Sequence, residues 1–379
     1  DGADINVRDK NGNTPLMLAV RNENTEIATY LIENKADINA KTDTGETILI
    51  LAAQKDNLEV ARLLIENGAD LEAKSKNGFT ALLWAVNRDH RKTATLLIEN
   101  GADINAKDLY GYTVIMFAAY MGRNEIAILL IENGADVNAK TDSGETLLMV
   151  TTTNANYEIS KFLIENGADI NSNNNAGDTA LTLAAKMVYP KGTSLLIENG
   201  ADLEAKSRNG FTALIWAAAN NRTETATILI ENGANVNAKD LYGGTVMMYA
   251  YKGIVSLLLE HGADINAKTD SGETVLMVVI TRVNYEISKF LIENGADINE
   301  ANNQGYTALM RAAQRGYSEV ATILLKNGAD INEANNQGFT ALLWAAQSGY
   351  TEVVTVLLKN GADINEALMA TAEYGLTEV

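Results

Sequence analysis

The sequence predicts an all-α solenoid of helix-turn-helix units joined by short turns. Three observations predict it. The segment Asn-Gly-Ala-Asp-Ile-Asn, with close variants, recurs at a spacing of 33 residues. A second glycine recurs in phase with it, always two residues before a Thr. Between the two markers lie two apolar stretches too short to bury their own faces, so each unit must cover its neighbour.

The first marker places its glycine at Gly2, Gly68, Gly101, Gly134, Gly167, Gly200, Gly233, Gly262, Gly295, Gly328 and Gly361, with Lys35 standing in once. One interval, from Gly233 to Gly262, is 29 residues instead of 33. Eleven whole repeats fit between Val7 and Asn365, in a single array over 1–379. The short repeat covers 238–266, and a partial repeat over 366–379 runs directly into a first-helix pattern at Ala367–Ala372. Beginning and ending inside a unit, without an initiator Met, the chain reads as a segment of a longer protein.

The second marker runs through Gly12, Gly45, Gly78, Gly111, Gly144, Gly177, Gly210, Gly243, Gly272, Gly305 and Gly338. Asp, Thr, Ser or Asn stands three residues before each, a β-turn pattern, and the Thr that follows, such as Thr80 or Thr113, suits a helix N-cap. The first helix is then a stretch such as TALLWAV from Thr80. The second is one such as EIAILLIEN from Glu125, with apolar residues at helical spacing. The next Gly closes it in the left-handed conformation.

At these residues the chain resembles the ankyrin-repeat family, over essentially its whole length. The resemblance implies a right-handed α-solenoid whose units meet at short β-hairpin turns, and a concave groove where ligands dock. One departure is systematic. The family's T-P-L-H appears only as TPLM at Thr14–Met17; elsewhere the His gives way mostly to Leu, Ile or Met. Cohesion between repeats should therefore lean on apolar packing. The Asn ending each GADIN resembles positions that are hydroxylated in some members.

Composition narrows function. Without cysteine there is no disulfide frame and no thiol chemistry. The two histidines, His90 and His261, lie far apart and read as turn and helix-end residues, so no metal site is expected. A net charge of −19 disfavours nucleic acid, and no apolar run reaches spanning length, so no membrane insertion is expected. No nucleotide-binding or hydrolase motif is present, so neither a cofactor nor catalysis is expected. Asn171, Asn173 and Asn175 faintly resemble a calcium loop but fall on a repeat turn and carry Ala176 where Gly is needed.

A longer period lies on top. The block 40–171 is duplicated as 172–299, and the spacing of Phe79 to Trp84 returns at Phe211–Trp216 and Phe339–Trp344. A Lys row (Lys74, Lys107, Lys140 and equivalents) and a Glu row (Glu132, Glu165 and equivalents) read as solvated faces with local pairing. Two weak joints are expected. At Lys186–Gly192, Gly192 replaces a core Ile or Val and should leave a cavity. Near Ala250–Ile254, four lost residues should shorten the helices or their turn.

The residue just after each turn glycine varies while its neighbours hold constant. Family resemblance places this slot on the concave groove. The candidate partner-binding set is Phe79, Tyr112, Glu145, Asp178, Phe211, Glu273, Tyr306 and Phe339, with Tyr110 and Tyr242 at the turn tips. Aromatic anchors flanked by carboxylates suit an extended protein or peptide partner with hydrophobic and basic residues. The reading is a non-catalytic interaction scaffold at an intracellular location, compatible with a microbial effector. The alternative is a targeting or regulatory segment of a larger enzyme, toxin or channel.

Overall fold

A computed structural model describes residues 4–282 and 284–365. The partial repeat expected over 366–379 lies outside the described residues. The described residues hold 22 helices and no extended strand. They divide into two compact units, one of Asp1–Ala184 with Ser194–Ala201, the other of Ala185–Thr193 with Asp202–Val379. Within each unit the first helix of a repeat packs on first helices of adjacent repeats, and second helices pack on second helices. This is the all-α solenoid that the periodicity predicts.

Each repeat is built by the same local chemistry. The Thr80 hydroxyl accepts the Leu83 amide at 3.3 Å and starts the Ala81–Asn87 helix. Thr113, expected to do the same, makes no such bond. Isolated antiparallel bridges such as Lys107 with Thr113 close the hairpins between repeats. Gly78 at the turn has φ 81°, and a Cβ there would come within 2.9 Å of the Leu109 amide nitrogen of the next finger. Glycine is thus required twice over, for its backbone angle and for the close stacking of fingers. The positions that carry histidine in the family are filled by Met17, Ile50, Leu83 and Met116, all fully buried. Apolar packing replaces the hydrogen bond, as expected.

Polar ladders run between repeats. The Asn39 side-chain oxygen accepts the Asp70 amide at 3.0 Å, and Asn105 accepts that of Asp136 at 2.8 Å. Glu72 takes the same role, accepting the Asp103 amide at 2.7 Å. The Lys row is also structural. Lys74 Nζ donates to the Lys107 carbonyl at 2.9 Å, and Lys107 Nζ to that of Lys140 at 3.3 Å. His90 Nδ1 donates to the Ala53 carbonyl at 2.8 Å, and His261 Nδ1 to Leu257 at 2.9 Å. The Asn171–Asn175 run is likewise spent between fingers. Asn175 Nδ2 donates to the Asp142 carbonyl at 3.1 Å, and the Asn173 carbonyl accepts from Lys140 at 3.2 Å.

The two joints differ from each other. At the first, the expected cavity is absent. The Tyr189 ring, 6% exposed, lies where a side chain at Gly192 would be. At the second, the first helix is cut to Val246–Tyr249, four residues where its neighbours have seven. The turn before Lys252 loses the remaining residue.

Candidate functional site

The slot after each turn glycine lies at the root of a hairpin, two residues from the helix start. A side chain there reaches the ring five positions on and the first helix of the next repeat. Phe79 meets Trp84 at 5.3 Å and Phe117 at 4.9 Å, both edge-on. Tyr112 meets Phe117 at 5.9 Å. Such ring pairs each contribute about 0.5–1.5 kcal/mol beyond area burial. Phe79 and Tyr112 remain half-buried, so their free faces line a groove of ≈ 410 Å³ together with Tyr110, Phe117, Tyr120 and Asp108. Tyr110 is 72% exposed and Tyr120 60%.

Asp108 builds the groove's rim. Its Oδ1 accepts the Tyr110 amide at 2.8 Å and the Tyr112 amide at 2.9 Å, which fixes the turn that aims both rings. The Tyr112 hydroxyl donates to Glu145 at 3.4 Å. Burial first, and then the Glu145 carboxylate, push the Tyr112 phenol above its ordinary pKa.

The other slots diverge. Phe211 meets Trp216 at 4.9 Å and Tyr249 at 4.8 Å, with Lys186 Nζ 4.1 Å over the Trp216 ring. Gly244 stands where Tyr112 stands four repeats earlier, and Tyr242 is 75% exposed at its turn tip. In the last patch Tyr306 and Phe339 both contact Trp344, at 5.6 and 5.0 Å. Tyr306 is buried, with Arg311 4.2 Å over its ring. Glu273 is held by Arg311 and Asn302. Asp178 is buried, its amide bonded to Asn174 at 3.0 Å. The candidate residues therefore fall into an open aromatic groove at Phe79–Tyr120 and more closed patches elsewhere. Sequence reasoning missed Phe117 and Tyr120. Phe117 was legible, standing 33 residues after Trp84, and Tyr120 follows on the same helix.

The sequence matches the family profile for ankyrin repeats in three copies over 1–75, 67–141, 133–207, 193–269 and 246–335. A profile for many copies matches over 319–358. The chain belongs to the ankyrin-repeat family. Among solved structures, the human ASB11 ankyrin repeat domain is similar, with a TM-score of 0.52 at 24% identity over 59% of this chain and 99% of that one. That likeness shows the ankyrin fold alone. No curated protein matches the sequence. Ankyrin repeats generally mediate protein–protein interaction, and the fold is typically a non-catalytic scaffold. No helix among the described residues is long and apolar enough to cross a membrane.

Proposed function

We propose that this ankyrin array is a non-catalytic scaffold that docks an extended protein segment on its hairpin-and-first-helix face. The observation that carries the reading is the groove of Phe79, Tyr110, Tyr112, Phe117 and Tyr120. Aromatic faces exposed next to Asp108 and Glu145 favour a Lys or Arg side chain flanked by apolar residues, through cation–π contact and charge complementarity. Glu145 and the wider negative charge speed capture of a basic segment. The exposed Tyr242 and the half-buried Phe211 and Phe339 supply further apolar contact points.

The test is a random peptide library selected on the full chain. Enrichment of basic and hydrophobic peptides is expected. Binding of an enriched peptide should fall at least about tenfold in Tyr110→Ser combined with Tyr120→Ser, since interface aromatics carry about 2 kcal/mol or more. Both side chains are exposed, so the helical circular dichroism should not change. Retention of binding there, with loss on Glu132→Ser and Glu165→Ser, would place the docking face elsewhere.

A further inference from the structure

The short repeat at 238–266 leaves more than a weak joint. Aligned with the repeat four earlier, it lacks the counterparts of Ala119–Gly122, the end of a helix and the turn after it. A cleft of ≈ 340 Å³ stands in their place. That volume falls within the range of small-ligand pockets. Its walls include Met248, Tyr249, Tyr251, Arg282, Asn284 and Ile287. No lining residue is acidic, in a chain of net charge −19.

The polar groups of the cleft are donors in search of an acceptor. Truncation ends the Val246–Tyr249 helix early, and Arg282 Nη1 covers the Met248 carbonyl at 2.6 Å. A guanidinium has five donor hydrogens, so this bond leaves four. The Arg282 guanidinium also lies 5.1 Å over the Tyr249 ring, which fixes its plane. The Tyr249 hydroxyl is committed to Asp240. Asn284 Oδ1 accepts the Ile287 amide at 3.1 Å. Its amide donor has lost its usual partner. In the earlier block Asn156 Nδ2 donates to Asn124 at 2.8 Å. The position matching Asn124 is here Lys252, which pairs with Glu286 at 3.1 Å.

We propose that this cleft binds the C-terminal carboxylate of a partner peptide. Arg282 and the Asn284 amide hold the carboxylate by charge-assisted hydrogen bonds. The last side chain is apolar and lies against the half-exposed Tyr251 ring, over the buried Met248 and Ile287 of the cleft wall. A chain terminus is the peptide group that places a full negative charge beside an apolar side chain in so small a volume. The site uses none of the residues of the aromatic groove.

The experiment titrates the full chain by calorimetry with acetyl-Gly-Gly-Ala-Leu, as free acid and as C-terminal amide. The free acid is expected to bind at least about tenfold tighter, the loss of one charged hydrogen-bond set. Asn284→Asp retains the side-chain oxygen that caps the following helix but replaces the donor with a negative charge. It should abolish binding while leaving the thermal midpoint and aromatic-groove capture unchanged. Arg282→Gln, which can still donate to the Met248 carbonyl, should weaken binding about tenfold or more. Equal binding of acid and amide, or no binding of either, would overturn the proposal. So would full binding by Asn284→Asp. Acetate competing as well as the peptide would reassign the cleft to a bare anion and overturn the peptide.

Discussion

The ring of Tyr189 occupies the volume that a side chain at Gly192 would need. A Cβ on Gly192 would lie 2.0 Å from Tyr189 Cε1. The glycine that reads in sequence as a lost core residue is the complement of a tyrosine three positions earlier. Both lie inside the same compact unit.

Restoring the repeat's usual residue should therefore harm the protein. Gly192→Ile forces the ring out and should cost about 1–3 kcal/mol, as overpacking does. Tyr189→Ala empties the site and should cost about 3 kcal/mol. Thermal unfolding read by circular dichroism checks both. The double variant Tyr189→Ala with Gly192→Ile should recover part of either loss. A gain in stability from Gly192→Ile alone would show that the ring does not fill this space.

Lys35 gives the opposite case. It holds φ 65° at the helix end where Gly68 and Gly101 hold 85° and 88°. The left-handed region costs a residue with a Cβ about 1–2 kcal/mol, against an entropic cost to glycine of about 0.5–1. Lys35→Gly should therefore raise stability by roughly 0.5–1 kcal/mol. Lys35→Ala should give nothing, because it keeps the Cβ. Denaturation midpoints of the two variants decide the matter.

The repeat frame was legible because its punctuation is glycine at positive φ, a local backbone requirement that shows in the sequence. Gly78 and Gly134 mark turn and helix end wherever they fall. What escaped is compensation between residues that meet only in three dimensions. Lys107 looks like one member of a solvated row, yet its ammonium caps a carbonyl one repeat away. Tyr189 carries no sign that it replaces an isoleucine. At the candidate site the slot residues were readable, but the groove also needs Phe117 and Tyr120 from the adjoining helix. Slot composition likewise could not reveal that Arg311 lies over Tyr306.

The asparagine ladder sets a third expectation. Asn105 Oδ1 accepts the Asp136 amide at 2.8 Å on an exposed edge. Asn105→Ala should cost about 1 kcal/mol, the usual net value of such a bond. Asn105→Glu should cost much less, because Glu72 and Glu204 already make the equivalent bond at 2.7 and 2.8 Å. Equal losses from the two substitutions would show that the side-chain oxygen is not what joins the repeats.

Tyr249 predicts an alkaline limit. Burial, and then its hydrogen bond to Asp240, push its phenol well above the ordinary value of 10.0. Between that value and the folded one, the folded chain keeps a proton that the unfolded chain gives up. Stability from this group is full below about pH 10 and falls as pH rises through the folded value. Tyr249→Phe should remove that contribution. Wild type should lose more stability than the variant between about pH 9 and about pH 11. Parallel losses would mean that the phenol ionises alike in both states.

Arg311 and Glu273 supply the last test, because ion pairs in this chain differ in burial. Their side chains are 18% and 16% exposed, while Lys55 and Glu23 are 41% and 64% exposed. An exposed pair is screened and contributes at most about 1 kcal/mol, often nothing measurable. Removing one partner of a largely buried pair leaves a charge without its counterion, at several kcal/mol in full burial. Arg311→Ala should therefore cost about 2 kcal/mol, and Lys55→Ala less than about 0.5. Adding Glu273→Gln to Arg311→Ala should restore part of the loss, since the neutral amide can still accept from Asn302. Arg311→Ala also removes the cation 4.2 Å over Tyr306 and uncovers that buried ring. If Lys55→Ala and Arg311→Ala prove equally mild in urea unfolding, burial does not set the strength of these pairs.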